Sequence, residues 1–289
     1  MAALSEEVEP STLGVYAQQL QRCLQWDPVN GAEGQNKQVF VEALTEIAAL
    51  PLDSISMEIR RLLHVHLRNI IAALSARDVQ LKCKAANAVG SLCISRVAGQ
   101  QLLGIYGEQI LKSVSKMATR KNQWVQGDAF FVLGWMVVIA DEETLTAIAE
   151  LLPTVIKHLH RNMASRRSKA ALASSEQASN FRVYALVLLL NFSQRHVDVF
   201  AEQLEQALPM LKDLILKLLE PLTITLLSVL VDQLEGTASR LLDLKVLPSL
   251  LKLKRVLETS EACELVGDTG IQEITERLDA VIETLLNCR

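Results

Sequence analysis

Aromatic side chains are scarce in this sequence: they make up 4% of its 289 residues, although half of the chain is hydrophobic. The core must therefore be built from Leu, Val, Ile and Ala, a composition suited to helix packed on helix. Seven prolines and twelve glycines are too few for a linker-rich or disordered chain. The five cysteines, Cys23, Cys83, Cys93, Cys263 and Cys288, contain no C-x-x-C pair. Cys83 and Cys93 share one expected helix and stand about 15 Å apart along its axis, too far to bridge. Reduced thiols in a cytoplasmic or nuclear setting are the expectation. The opening MAALSEEVEPSTLG lacks the basic start and apolar centre of a secretory signal, so secretion is not expected. No apolar run reaches the roughly eighteen residues of a membrane span. Ala129–Ala140 is closed by Asp128 and Asp141, and Leu222–Val231 by Glu220 and Asp232. Net charge is −4 with the signs mixed, which argues against nucleic-acid binding driven by a basic face.

Recognisable chemistry is equally thin. There is no glycine-rich phosphate loop, H-E-x-x-H, nucleophile elbow or oriented carboxylate pair. The histidines His64 and His66, and His158 and His160, are spaced i, i+2. That spacing sends the rings to nearly opposite sides of a helix and unsuits them to one metal. Asn191-Phe192-Ser193 matches a glycosylation sequon but lies in an apolar helical run, and is read as chance. The expectation is a protein that is not an enzyme, with no catalytic residues, metal, cofactor or small-molecule substrate.

What the chain does have is repetition. Largely apolar runs recur at Ala129–Ala140 (AFFVLGWMVVIA), Tyr184–Phe192 (YALVLLLNF) and Leu222–Val231 (LTITLLSVLV). Ala85–Ile94 is a more polar version and Phe40–Leu50 a weaker one. Recurrence at roughly forty residues is the mark of a helical solenoid. The long helices are expected near 37–50, 79–95, 122–140, 179–194 and 220–233. Leu-Pro opens a shorter amphipathic run three times, at Leu152-Pro153, Leu208-Pro209 and Leu247-Pro248. Proline suits a first helical turn, where its missing N–H has no partner to lose. Shorter helices are expected before these at Glu142–Glu150, Val197–Gln206 and Thr237–Leu244, the first N-capped by Asp141.

The passage Arg240–Leu253 (RLLDLKVLPSLLKL) resembles the first-to-second-helix passage of armadillo repeats, "IVEAGALPALVQLL". Phe200–Leu214 (FAEQLEQALPMLKDL) resembles it too, and Tyr184–Ser193 is similar to the family's third helix, "ALWALSNLA". Gly107–Met117 fits less well, with Gln109 at the proline position. The family's glycine before the proline passage is replaced by Lys245, Gln206 and Glu150. The resemblance covers roughly residues 36–257. It implies an all-α, right-handed α-solenoid of about five armadillo-like repeats with N- and C-terminal capping helices.

On this reading residues 1–35 hold an N-terminal tail, the amphipathic helix Thr12–Trp26 and a loop, and 36–257 hold the repeats. An acidic turn and capping helix occupy 258–289, with Thr269 and Gln272 as a capping box before Ile271–Asn287. The interval from Pro153 to Pro209 is about seventeen residues too long. The excess is Arg161–Ser179 (RNMASRRSKAALASSEQAS), expected to be a mobile loop at about 161–179.

In the armadillo family the third helices line a concave groove, where an asparagine binds the backbone of an extended peptide. Its matching positions here are Asn191, Trp135 and Ser91, and the family's preceding groove tryptophan maps to Val187, Phe131 and Asn87. The regular ladder is therefore missing. In its place Trp124, Phe131 and Trp135 fall at i, i+7, i+11 on one side of a helix, with Asp128 among them. The resulting expectation is a protein–protein adaptor or scaffold that holds a peptide segment or helix of a partner on its concave surface. Its contacts would be Trp124, Asp128, Phe131, Trp135, Asn87, Ser91 and Asn191. A structural subunit using its flank or its last helix, through Leu278, Leu285 and Leu286, is the alternative. A weaker one is nucleic-acid contact through the basic 161–169 loop. There Arg161, Ser165, Arg166, Arg167, Ser168 and Lys169 also suit an acidic partner or a phosphate switch.

Overall fold

The computed structural model describes residues 18, 20, 21, 23–29, 31, 34–50, 57–164, 175–217, 221–258 and 268–288. Among them no strand occurs. The labelled helices are α1 (Gln35–Ala49), α2 (Met57–Ala73), α3 (Val79–Ile94), α4 (Arg96–Ala118) and α5 (Gln123–Ile139). They continue with α6 (Glu142–Ala149), α7 (Leu152–Ala164), α8 (Ser175–Arg195), α9 (Val197–Ala201) and α10 (Leu204–Lys217). The last are α11 (Pro221–Gln233), α12 (Thr237–Asp243), α13 (Leu247–Leu257) and α14 (Asp268–Asn287). The chain divides into two compact units, one ending at Met117 and the other beginning at Ala118.

In the first unit α1 and α2 both pack on α3. Phe40, Leu44 and Ile47 repeat at i, i+4, i+7 on α1 and are fully buried. Asp78 starts α3 by accepting from the Leu81 N–H at 2.7 Å, and its other oxygen accepts from Lys37 Nζ at 2.8 Å. One carboxylate thus caps α3 and ties it to the first turn of α1. A Ser75–Ser113 hydroxyl contact of 3.2 Å links the turn after α2 to α4. The run 96–118 forms one unbroken helix of 23 residues. With Gln109 in place of proline every backbone donor survives, so nothing divides it.

The second unit repeats a three-helix plan. The long helices α5, α8 and α11 pack side by side in that order, and α7, α10 and α13 do the same. Helix α8 rests on α7, and α11 on α10. Helix α14 lies against α11, α12 and α13 and buries Ile274, Leu278, Val281, Ile282 and Leu285. It closes the apolar end that a last repeat leaves open. Leu278 and Leu285 are 0% exposed, so of the three leucines offered for assembly only Leu286, at 50%, is available.

Local departures from expectation have local causes. Pro153 and Pro248 sit at the second residue of α7 and α13, but Pro209 lies inside α10, which begins at Leu204. The expected helix 197–206 is consequently divided between α9 and the start of α10. Helix α7 runs on to Ala164 and α8 begins at Ser175. The expected 161–179 loop is therefore helical at both ends, and 165–174 lie outside the described residues. Helix α14 starts at Asp268, which places Thr269 inside the helix rather than at its cap. Most of Thr12–Trp26, and the acidic turn after Glu258, also lie outside the described residues.

The missing glycine leaves its mark at α12. Lys245 takes a left-handed φ of 56°. Its N–H donates to the Leu242 carbonyl at 2.9 Å, and the Val246 N–H donates to the Leu241 carbonyl at 3.0 Å. This is the paired hydrogen bonding of a Schellman end, with Val246 and Leu241 both buried, built on lysine where glycine is usual.

Candidate partner-binding surface

Helices α5 and α8 approach closely because Gly127 and Gly134, seven residues apart, present no side chain to α8. A Cβ at Gly127 would lie 3.5 Å from the Phe181 Cα, and one at Gly134 3.4 Å from the Leu188 Cα. Aromatic packing fills the seam beside them. Phe130 and Phe181 lie 5.3 Å apart between ring centres, fully inside, and Phe131 and Tyr184 4.9 Å apart nearer the surface. Tilted pairs of this kind contribute about 0.5–1.5 kcal/mol each beyond their buried area.

Side chains from α8 also hold the C-terminal half of α5. Asn191 Nδ2 donates to the Gly134 carbonyl at 2.9 Å. Arg195 donates from Nη1 to the Val138 carbonyl at 2.7 Å and from Nη2 to the Ala140 carbonyl at 3.2 Å. The last carbonyls of α5 have no intrahelical partner, and a guanidinium is a good acceptor-filler there. At the other end Asn122 accepts from the N–H groups of Trp124 and Val125 at 2.9 and 3.2 Å. Helix α5 is thus fixed at both termini.

The accessible side chains of α5 form one stripe. Trp124 is 49% exposed, Phe131 and Trp135 are half-buried, and Val138 is 43% exposed. Asp128 shares this side but is buried to 7%. Tyr184, Val187 and Asn191 make the corresponding half-buried stripe on α8, and Leu222, Thr225 and Val229 that on α11. Burial, and secondarily the Asp128 charge, push the Tyr184 phenol above its ordinary pKa, so it stays neutral. Tyr184 and Arg195 were not singled out in the sequence, although Tyr184 stands seven residues before Asn191 on the same helical side.

Asn87 and Ser91 belong to the first unit, half-buried on α3, where Asn87 Nδ2 donates to the Cys83 carbonyl at 2.9 Å. Arg161 is exposed near the end of α7, and Ser165–Lys169 lie outside the described residues. His64 is exposed and His66 buried, as their spacing requires. Among the described residues no cluster of His, Cys, Asp and Glu is arranged to hold a metal ion, and no helix is long and apolar enough to cross a membrane.

No family model matches the chain, and no curated protein does. Solved structures do. A designed armadillo repeat protein superposes with a TM-score of 0.65 over 93% of this chain and 99% of its own, at 15% identity. A second, in complex with the peptide (KR)4, gives 0.64 over 93% and 98%, at 16% identity. A chain from the structure of Kap95p with RanGDP gives 0.53 at 12% identity, covering 99% of this chain and 42% of its own. The protein is an all-α solenoid of the armadillo type.

Proposed function

We propose that this chain is a non-enzymatic protein-binding solenoid that holds a peptide segment or helix of a partner against its third helices. The contacts are Trp124, Phe131 and Trp135, with Tyr184 and Asn191 alongside, all of the second unit. The observation that carries this reading is Trp124, a tryptophan 49% exposed on a stripe it shares with two half-buried aromatics. Large aromatics of this kind anchor interfaces, because a few of them supply most of the binding energy. A designed relative in fold that holds a basic peptide supports the same use of the scaffold. The test is affinity capture from a native extract with wild type beside Trp124→Ala and Trp135→Ala. The expected outcome is a partner retained by wild type and lost from both variants at unchanged helicity. Identical capture by all three would sink the reading.

A further inference from the structure

Resting on that reading, we infer that the occupant of the α5–α8 seam is an amphipathic helix with an uncharged apolar stripe, not an extended peptide. Three observations converge on this. The first concerns the backbone. An extended segment arrives with unpaired N–H and C=O groups that the receptor must satisfy at regular intervals. The positions that could do so on successive third helices of the second unit are Trp135, Asn191 and Val229. Asn191 has already given one of its two amide N–H groups to the Gly134 carbonyl, Trp135 offers a single indole donor and no acceptor, and Val229 offers neither. An α-helix satisfies its own backbone and needs only an apolar surface of the right shape.

The second is charge. Between Asn122 and Ala140 the one charged residue is Asp128, which is buried. Between Val183 and Gln194, and between Leu222 and Val231, there is none. A basic or acidic extended chain therefore meets no accessible counter-charge along these stripes. Charge gathers instead at the ends of α5. Arg120 and Lys121 precede Trp124, and Asp141, Glu142 and Glu143 follow Val138, all exposed. Arg195 stands at the Val138 end as well, on the Val138 and Ala140 carbonyls, and the balance there remains acidic. A helix with an acidic turn at the Trp124 end, a basic turn at the Val138 end and apolar residues between complements this arrangement.

The third is length. Trp124 to Val138 spans fifteen residues of α5, about 21 Å at the helical rise. Apolar anchors at i, i+4, i+7 and i+11 of a helix cover a comparable distance, about 16 Å. The occupant is thus a helix of three to four turns lying along α5.

The test uses the full chain and two displayed peptide pools. One encodes twenty-residue helices with Leu or Ile at i, i+3, i+4, i+7 and i+11 on a Glu/Lys/Ala background. The other keeps the same residue types but carries a proline at every fifth position, which forbids helix. We expect binders from the first pool only. Their affinity should fall about thirtyfold in Trp124→Ala and Trp135→Ala, with far-UV circular dichroism of each variant unchanged. Binders drawn from the proline pool, or (KR)4 binding lost in Trp135→Ala, would overturn the helical occupant while leaving the partner surface standing. Binders from neither pool, or binders indifferent to both variants, would overturn both. A wild-type dimer dispersed by Trp124→Ala in sedimentation would make the occupant a second copy and would also overturn the inference.

Discussion

Single side chains decide how closely the long helices approach and how they end. At Gly134 a Cβ would meet α8 at ordinary contact distance, 3.4 Å from Leu188. Gly134→Ala is therefore expected to be tolerated or stabilising by up to about 1 kcal/mol through helix propensity. Gly134→Val has no room for its two methyls and should cost about 1–3 kcal/mol. Urea midpoints of both variants check this, and a neutral valine would mean that α8 is not held at this distance. Lys245 offers the opposite case. Its left-handed backbone is one that glycine adopts without strain, so Lys245→Gly should stabilise by about 0.5–1 kcal/mol. A loss of stability would show that the lysine side chain contributes more than its backbone costs.

At the scale of the element, caps and periodicity explain most of what was legible. The third helices appear at 35–49, 79–94, 123–139, 175–195 and 221–233, close to the expected spans. Their apolar runs outlast any local ambiguity. Asp141 caps α6 by accepting from the Thr144 N–H at 2.9 Å, as its position ahead of two glutamates suggested. Boundaries near Pro209 and Ser175 were not legible: one helix begins at Leu204, five residues before its proline, and the other at Ser175, four residues before the expected span. The first unit carries the clearest pH dependence. Hydrogen bonding from Lys37, then from the Leu81 N–H, holds the Asp78 carboxyl below the usual range. Its contribution is present above the unfolded value, about pH 4, and is lost as pH falls through the lower folded one. Burial lowers the His66 pKa. The unfolded chain binds its proton first, so stability also declines as pH falls below about 6.5. Urea midpoints should thus fall in two stages on acidification. His158, whose pKa is lowered first by burial and then by Arg161 and Lys157, contributes to the same upper stage. His66→Leu should therefore shrink that stage rather than remove it, and Asp78→Ala should cost about 1 kcal/mol at neutral pH. An upper stage of unchanged size in His66→Leu would show that His66 has no part in it.

For the whole molecule, the last helix is part of the core rather than an appendage. Five buried apolar residues on α14 contribute on the order of 10 kcal/mol at most, comparable to the whole stability of an ordinary domain. Truncation after Glu258 should accordingly unfold or aggregate the second unit. Leu286→Glu, at a half-exposed position, should leave its melting temperature within a few degrees of wild type. A folded truncated chain with an unchanged melting temperature would contradict the capping role. For the same reason truncation is a poor test of assembly, and Leu286→Glu is the cleaner one.

The sequence by itself determined the class of fold. A forty-residue recurrence of apolar runs with 3.6-residue periodicity has one stable solution, helices stacked on their own neighbours, because no repeat buries its apolar face alone. It also exposed the candidate stripe, since i, i+7, i+11 is a property of any helix. Only the tertiary structure decided which of those side chains reach solvent and which are consumed. Asp128 is buried and Trp124 is not, although one helical turn separates them. Asn191 gives one of its two amide N–H groups to Gly134, and Leu278 and Leu285 are buried against the last repeat. Burial and hydrogen-bond partners across 57 residues of chain are set by how helices pack, and no local pattern encodes that.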